Sequence, residues 1–371
     1  MMKKLNSLTI LFIVTAVMVL FMLVTLQHPN DSQDDEGLLF PELFGQLSGV
    51  NTITLKSSQD EFTLYKEGED WFIKERWNFP ADFNLVKRAL IDISEAKILE
   101  RKTDKAEQFA LLGLEGMEQG GESIHITMLE DENVVSGLIL GREREIGQTG
   151  GARQFYVRRA GEERSWLAEG YLNINPLMLN WIKSDVINIA RERIAQVNII
   201  QPNGDTATLI NLGKKDKFGT PDDLAKTVFK YDQLGYDIAG SLFQLKMEDV
   251  LPLSDFSRGD SQSVTAEFLT FDGLKVITET SFDNDDGFYY STIRADRSSA
   301  GAAPKDIQAL DVLKSEQEVT EEIAALNAQF DSWVYRFGGF VGTNLMRAEQ
   351  DIVTKSETVI PMPADVTGFG Q

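Results

Sequence analysis

The chain has 371 residues, 58 of them acidic and 36 basic, so its formal charge is −22 and its isoelectric point is about 4.5. This length is enough for two domains, or for one duplicated unit, with a sizeable core. The sequence contains no cysteine, which excludes disulfides, a thiolate nucleophile, a cysteine metal site and a lipid-modified cysteine. The negative charge argues against nucleic acid as a partner, because such binding needs clustered lysine and arginine.

Residues 8–26 form the strongest local signal, an apolar run without a charged side chain. A helix of this length is about 28 Å long, close to the roughly 30 Å hydrocarbon core of a bilayer. Lys3 and Lys4 precede the run and acidic residues from Asp31 to Glu36 follow it. Basic flanks stay on the cytoplasmic side, so the pattern predicts one transmembrane helix with a cytoplasmic N-terminus. Membrane lipid is then the partner of residues 8–26.

A cleaved signal peptide is the competing interpretation, since it shares the basic start and the apolar stretch. The run is longer than the usual 7 to 15 residues of such a peptide, and no small-x-small cleavage site follows it. A buried helix of a soluble domain is the third possibility. With a retained anchor, removing the two lysines from the total leaves a charge of −24 on the extracytoplasmic part.

The first half alternates strand and helix patterns. Short apolar runs at 53–55, 62–65 and 71–74 predict strands joined by polar turns. After Asp82 the apolar residues Phe83, Val86, Leu90 and Ile93 are spaced 3, 4 and 3, which predicts a helix that begins at Asp82 and lies across the sheet. A second antiparallel meander is predicted from four further runs, at 125–129, 134–141, 154–159 and 165–169.

The second half repeats this order, starting with two strands about the Asn203-Gly204 turn. Residues 176–194 before it are expected to form a short helical passage. Further on, one helical face is predicted from Leu234, Ile238, Leu242 and Leu245, and a gapless alignment places Leu90 on Leu242 and Ile98 on Val250. We therefore expect an α+β fold: a single N-terminal transmembrane helix followed by a duplicated antiparallel β-meander plus helix unit.

The predicted organisation has eight parts. They are a cytoplasmic tail at 1–7, the transmembrane helix at 8–26, a juxtamembrane spacer at 27–47, a first α+β repeat at 48–185, a second at 186–295, an exposed insert at 296–318, a helix-strand-helix segment at 319–355 that completes the second repeat, and a flexible tail at 356–371.

Several short motifs follow this order. They are GEDWFI at 68–73, the segment from Ala81 to Asp104, LLGLE at 111–115 and WVY at 333–335. With the N-terminal span, they resemble the bacterial domain-of-unknown-function family 4340 over most of residues 1–355. The chain departs from the family in a long loop at 212–230, in the insert at 296–318 and in Gly116-Met117, where the family has a proline. The resemblance implies a membrane-anchored, periplasm-facing protein, often encoded beside gliding-motility-type ABC transport systems, and it implies no catalytic residues.

Candidate sites in the sequence are weak. His28 and His125 are far apart and lack the partners that a triad or a zinc site needs. The run from Asp283 to Gly287 suggests a calcium loop, but its sixth and twelfth positions are Phe288 and Arg294, so an acidic hairpin turn is favoured. Five tryptophans could line a groove; core packing is expected for four, and Trp77 is expected to be exposed. They are Trp71, Trp77, Trp166, Trp181 and Trp333.

Taken together, the patterns and the resemblance predict a non-enzymatic, membrane-anchored accessory or scaffold subunit of an ABC-type transport or envelope-assembly system. Its location would be the inner (cytoplasmic) membrane, with the main domain in the periplasm and ABC-type permease and ATPase subunits as partners. The sequence has no nucleotide-binding P-loop, so another subunit would hydrolyse ATP. No catalytic, metal or cofactor-binding residue is predicted, and no cofactor is expected. Two alternatives stay open: a module that binds a glycan, lipid or peptide in a cleft between the repeats, and an envelope hydrolase with a carboxylate pair.

Overall fold

The chain divides into two compact units in a computed structural model. The first comprises Met1–Glu75 and Pro80–Trp181, and the second comprises Arg76–Phe79 and Ile182–Gln371. The division at Trp181 lies four residues before the predicted end of the first repeat. The residues that the structure describes are 37–117, 120–144, 153–213, 217–221, 228–258, 261–298 and 303–354.

The predicted cytoplasmic tail, the predicted transmembrane helix at 8–26, residues 27–36 of the spacer and the tail at 356–371 all lie outside the described residues. Among the residues that are described, no helix has both the length and the apolar character that a membrane crossing requires.

Residues 37–47, the remainder of the predicted spacer, are part of the first unit. Gly37–Leu38 forms a strand that pairs with Lys97–Arg101, and a short helix follows at Leu43–Gln46. Leu39 and Leu43 are both buried. Their apolar side chains stabilise this segment on the sheet, so the folded region begins before residue 48.

The first unit is built on an antiparallel sheet that has ten strands among the described residues; the last of them, β5, starts at Phe79, the final residue of the segment Arg76–Phe79, and continues into the first unit at Pro80. Their order across the sheet is β1-β6-β10-β9-β8-β7-β2-β3-β4-β5. The meander predicted for residues 125–169 is confirmed, since β7 to β10 are consecutive neighbours. The strands are β1 Gly37–Leu38, β2 Thr52–Lys56, β3 Glu61–Glu67, β4 Asp70–Ile73, β5 Phe79–Pro80, β6 Lys97–Arg101, β7 Ile124–Glu130, β8 Asn133–Arg144, β9 Arg153–Arg159 and β10 Ser165–Gly170.

The helix Phe83–Ser94 begins where the sequence predicts. The Asp82 side chain accepts hydrogen bonds from the backbone N–H groups of Asn84 and Leu85, as expected of an N-cap. Val86 and Ile93 are buried beneath the helix, in agreement with the predicted apolar face. Phe83 was expected on that face but is 45 % exposed. As the first residue of the helix, it lies at one end of the apolar face, and its ring stays outside the core.

The second unit contains an eight-stranded antiparallel sheet and a separate two-stranded ladder. The order of the larger sheet is β14-β13-β12-β17-β18-β19-β20-β16, and the ladder joins β11 to β15. Together with the first sheet, it confirms the predicted α+β class. The strands are β11 Asp185–Ile187, β12 Ile194–Ile200, β13 Thr206–Asn211, β14 Phe218–Gly219, β15 Leu245–Lys246, β16 Asp249–Pro252, β17 Ser263–Thr270, β18 Leu274–Phe282, β19 Tyr289–Arg297 and β20 Trp333–Phe337.

Helices occupy the connections between the strands. In the first unit, besides Leu43–Gln46 and Phe83–Ser94, a short helix runs Phe109–Leu112; in the second unit they are Leu234–Ala239, Lys305–Gln308, Glu316–Phe330, Gly339–Met346 and Glu349–Ile352. Single 3-10 turns lie at Lys74–Arg76, Ala106–Gln108, Met178–Trp181, Arg191–Arg193 and Gly240–Leu242.

Two helix predictions in the second half are wrong in extent. Residues 176–194 form two 3-10 turns and strand β11 instead of one helical passage. The face predicted from Leu234 to Leu245 is divided between the helix Leu234–Ala239, a 3-10 turn and strand β15. All four of its apolar residues are buried, so the spacing identified core residues but not the helix end.

Candidate functional site

His125 lies next to Ser123, and a serine beside a histidine is the pairing that a nucleophile and its general base require. Its Nε2 is 3.1 Å from Oγ of Ser123, and the same Oγ donates to the backbone oxygen of Glu115 at 2.8 Å. The serine has one hydrogen, so the imidazole must donate through Nε2 and cannot accept the serine proton. Ser123 is also fully buried. This pair is therefore not arranged as a nucleophile and its base.

The surroundings of His125 favour its neutral form. Its pKa is lowered, first by burial and then by the positive charges of Arg158 and Lys56. A neutral imidazole with hydrogen on Nε2 matches the bond to Ser123. The other predicted candidate, His28, lies outside the described residues.

The acidic run from Asp283 to Gly287 forms a hairpin turn between β18 and β19. Oδ1 of Asp283 accepts from the backbone N–H of Asp285 at 2.8 Å, and Oδ1 of Asp286 accepts from that of Phe288 at 2.9 Å. Gly287 takes a φ of +77°, which glycine adopts without strain. The carboxylates cap the turn, as the acidic-turn interpretation predicts. Across the described ranges, no group of three or more metal-ligating side chains is placed to hold an ion.

In the same sheet, Asp249 of β16 is paired with two arginines. Nε of Arg76 donates to its Oδ1 at 2.8 Å, and Nη1 of Arg336 lies 3.6 Å from its Oδ2. Nearby, the Tyr290 hydroxyl donates to Oδ2 of Asp286 at 2.5 Å. Burial, followed by the bond to Asp286 and its charge, raises the pKa of Tyr290 to about 12. These ionisable groups are bound to one another within the second unit.

The most buried ionic cluster is centred on Arg193, which is 3 % exposed. It donates to both carboxylate oxygens of Asp272, at 2.9 and 3.2 Å, and to both of Glu322, at 3.1 and 2.8 Å. Lys314 adds a backbone N–H bond to Asp272 and an Nζ contact to Glu322, each at 2.8 Å. Burial alone would raise the pKa of both carboxyl groups, but these bonds outweigh it and keep both pKa values lowered. The cluster is satisfied internally, which favours a structural role.

The tryptophans follow the predicted distribution. Trp71, Trp166 and Trp181 are buried, Trp333 is partly buried, and Trp77 is 41 % exposed. Trp77 takes a φ of +52°, in the left-handed region that is costly for a bulky residue. The Arg76 guanidinium lies 4.8 Å from the centre of its ring. Trp77 is thus an exposed aromatic at the tip of a turn, next to the Arg76 of the Asp249 pair.

Three carboxyl groups line one cavity of the first unit, which has a volume of about 420 Å³. Asp92, Glu95 and Glu169 line it together with Lys97 and Tyr171. Burial raises the pKa of Asp92; Arg88 counteracts this shift and Glu95 adds to it. Asp92 and Glu169 lie on elements that are distant in the sequence, so the sequence alone could not place them at the same cavity.

A second cavity of about 420 Å³ in the same unit is mostly apolar, and it is the candidate binding site. Its volume lies within the range of small-molecule sites, roughly 300–1,000 Å³. Trp71 on strand β4 lines it and is buried, whereas Phe44 is 65 % exposed. We call this cavity the Phe44 groove. The described residues that line it are Phe44, Leu47, Ser48, Val50, Lys66, Trp71, Phe83, Lys87, Leu90 and Ile91.

The helix Phe83–Ser94 supplies one wall of the Phe44 groove. Phe83, Lys87, Leu90 and Ile91 follow the i, i+4, i+7, i+8 spacing and so form one stripe along the helix. This stripe is offset from Val86 and Ile93, which point into the core. Sequence reasoning placed Phe83 in the core and assigned Phe44 to a spacer, so it missed the groove. The apolar residues in 38–47 were the available signal.

The chain is similar to a known protein family. The sequence model of a family described as "Domain of unknown function (DUF4340)" matches residues 71–265, just over half of the chain. The match begins at Trp71, inside the motif that suggested this family. No curated protein and no solved structure matches the chain.

Proposed function

The chain belongs to the DUF4340 family, and on that premise we propose that it is a membrane-anchored, non-enzymatic accessory or scaffold subunit of an ABC-type transport or envelope-assembly complex. The supporting observation is the uncharged run at 8–26, preceded by two lysines and followed by a chain of net charge −24. Such an anchor would place both folded units outside the cytoplasm, at the inner membrane.

The geometry of the described side chains supports a non-catalytic role. The Ser123 hydroxyl donates to a backbone carbonyl, the acids of the 283–287 turn accept backbone amides, and Asp272 is held by Arg193. Groups committed to internal bonds stabilise a fold and are poorly placed to react with a substrate. The complex would therefore take its ATP hydrolysis from a separate subunit.

The internal duplication belongs to the same proposal. In both units a helix precedes a strand that aligns in sequence: Phe83–Ser94 precedes β6, and Leu234–Ala239, after a 3-10 turn and the short strand β15, precedes β16. The aligned residues Ile98 and Val250 are buried in these strands. A duplicated meander-plus-helix unit accounts for this agreement.

The decisive experiment is crosslinking in native membranes. Full-length protein would be crosslinked in cells, purified in mild detergent and analysed by mass spectrometry. We expect a polytopic permease and an ATPase to be recovered with it. A control variant with Val17→Asp and Leu20→Asp places two charges in the apolar run, at a cost of about 2.5–3.5 kcal/mol each at the centre of a membrane helix. This variant should no longer be found in the membrane fraction, and neither the permease nor the ATPase should be recovered with it.

A matched variant with Val17→Ile and Leu20→Ile keeps the run apolar and should behave as the unaltered protein. Repeated recovery of the membrane-bound protein without any transport subunit would contradict the scaffold role. A membrane fraction unchanged by the two aspartates would contradict the anchor.

The Phe44 groove favours a second function, an extracytoplasmic module that binds an apolar ligand. A ligand that binds only the folded state raises the melting temperature in proportion to the logarithm of its concentration. Full-length protein in detergent would be heated with lipids, glycans and peptides of the envelope. A rise for one class, reduced by Phe44→Ser, supports this function, and equal melting temperatures for all would count against it.

A further inference from the structure

The Phe44 groove differs in charge from the rest of this acidic chain. Among the described residues that line it, two are lysines, Lys66 and Lys87, and none is acidic. Acidic residues outnumber basic ones by 58 to 36 in the whole sequence. The groove therefore combines an apolar interior with a local positive charge, which is complementary to an anionic amphiphile.

The apolar part of the groove has exposed surface to bury. Phe44 is 65 % exposed and Phe83 is 45 % exposed, while Trp71 and Leu90 are buried beside them. Covering an exposed apolar side chain is favourable relative to leaving it in water. An acyl chain between the two phenylalanines would take both from water, while its anionic head stays with the lysines.

The position of the groove in the chain indicates the source of such a ligand. Phe44 lies 18 residues after Leu26, the last residue of the predicted anchor. At roughly 3.3–3.6 Å per residue, an extended segment of that length spans at most about 60–65 Å. The groove would thus stay within reach of the bilayer surface. This step rests on the anchoring that the proposed function includes.

From these observations we propose that the Phe44 groove binds one acyl chain of an anionic membrane lipid, with the lipid phosphate held by Lys66 and Lys87. The net negative charge elsewhere on the chain opposes general adsorption to an anionic bilayer. Binding is therefore confined to the groove and depends on its two lysines.

The absence of cysteine from the sequence makes this testable on the full chain. Phe44→Cys would carry an environment-sensitive fluorophore, and the protein would be placed in nanodiscs of phosphatidylcholine alone or with phosphatidylglycerol. The control is Leu111→Cys, a position in the same unit that is 75 % exposed and lies outside the groove. We expect a blue shift of the label at 44 with phosphatidylglycerol and no shift at 111.

Replacing the lysines tests the charge contribution. Lys66→Gln and Lys87→Gln should each lower the apparent affinity for phosphatidylglycerol on the order of fivefold, the usual contribution of one basic side chain at an anionic membrane surface. Equal responses at 44 and 111, or a response unchanged by both substitutions, would overturn the proposal. A response at 44 that requires a co-reconstituted permease would assign the groove to a protein partner instead.

The same preparation separates this inference from the anchor. Co-elution of the chain with the nanodiscs tests insertion of residues 8–26 independently of the label. Co-elution without a response at 44 would reject lipid binding and keep the anchor. Loss of co-elution would reject the anchor itself.

Discussion

Arg193 donates two hydrogen bonds to the carboxylate of Asp272, although the two residues are 79 positions apart in the sequence. Both side chains are only 4 % exposed, so the pair is held almost without water. Charged groups in such surroundings depend on each other, because removing one leaves the other buried and uncompensated. The pair joins the 3-10 turn that precedes β12 to the turn between β17 and β18, and Glu322 extends it to the helix Glu316–Phe330.

Arg193→Met should strongly destabilise the second unit. The substitution keeps much of the side-chain volume but leaves two carboxylates without their main partner, at a cost of about 3–5 kcal/mol. Lys246→Met is the control, because its pair with Asp185 is more than 60 % exposed on both sides and should contribute at most about 1 kcal/mol. Urea unfolding of both variants measures the difference. Equal losses would show that the buried cluster is not stabilising.

Replacing His125 should make the melting temperature less dependent on pH just below pH 6.5. Its pKa in the folded protein is below the ordinary 6.5, so the unfolded chain takes up a proton first as the pH falls. The neutral imidazole contributes to the folding stability above pH 6.5, and this contribution is lost as the pH falls through the pKa of the folded protein. His125→Gln should reduce the slope of melting temperature against pH just below 6.5. An unchanged slope would mean that His125 titrates alike in both states.

Tyr290 should have the opposite effect at alkaline pH. Its folded pKa of about 12 lies above the ordinary 10.0, so the unfolded chain loses the phenolic proton first. The associated stability is present below pH 10 and is lost as the pH rises towards 12. Tyr290→Phe should make the melting temperature less sensitive to pH in this window. If the phenylalanine variant follows the unaltered protein between pH 10 and 12, the hydroxyl is not protected as described.

Trp77 and Trp71 should respond very differently to substitution. Trp77→Asn relieves a left-handed conformation that costs about 1–2 kcal/mol, and it loses an arginine–ring contact of about 0.5–1 kcal/mol. Its free energy of unfolding should therefore change by no more than about 1.5 kcal/mol. Trp71→Ala removes a buried ring and should cost about 3–5 kcal/mol. Denaturant unfolding tests both; a large loss for Trp77→Asn would indicate a packing role at the turn.

The sequence predicted those helices and strands that depend on interactions between residues close together in the chain. Asp82 was recognised as a helix start because its carboxylate can reach the next backbone N–H groups, and it does so. The 125–169 meander followed from alternating apolar residues and polar turns. Leu245 was assigned to a helix because four apolar residues at helical spacing cannot show where the backbone becomes extended. The burial was predictable, and the conformation depended on pairing with β11.

The candidate site was less predictable because it depends on tertiary placement. Trp77 could be predicted as exposed from its polar neighbours alone. Phe44 and Lys66 share a groove only because a short helix and strand β3 meet in the fold, and no spacing in the sequence expresses that. The same holds for Arg193 and Asp272, whose pairing requires the registered strands β12 and β17.

The segment Arg76–Phe79 has a consequence for biosynthesis. It belongs to the second unit, although the chain on both sides of it belongs to the first. Arg76 can form its ion pair only after Asp249, which lies 173 residues later in the chain, has been synthesised. At about 5–20 residues per second, the ribosome needs roughly 9–35 s to make that stretch. The segment Arg76–Phe79 is therefore synthesised long before the rest of the second unit. Residues 182–371 alone cannot complete this unit, because they lack that segment.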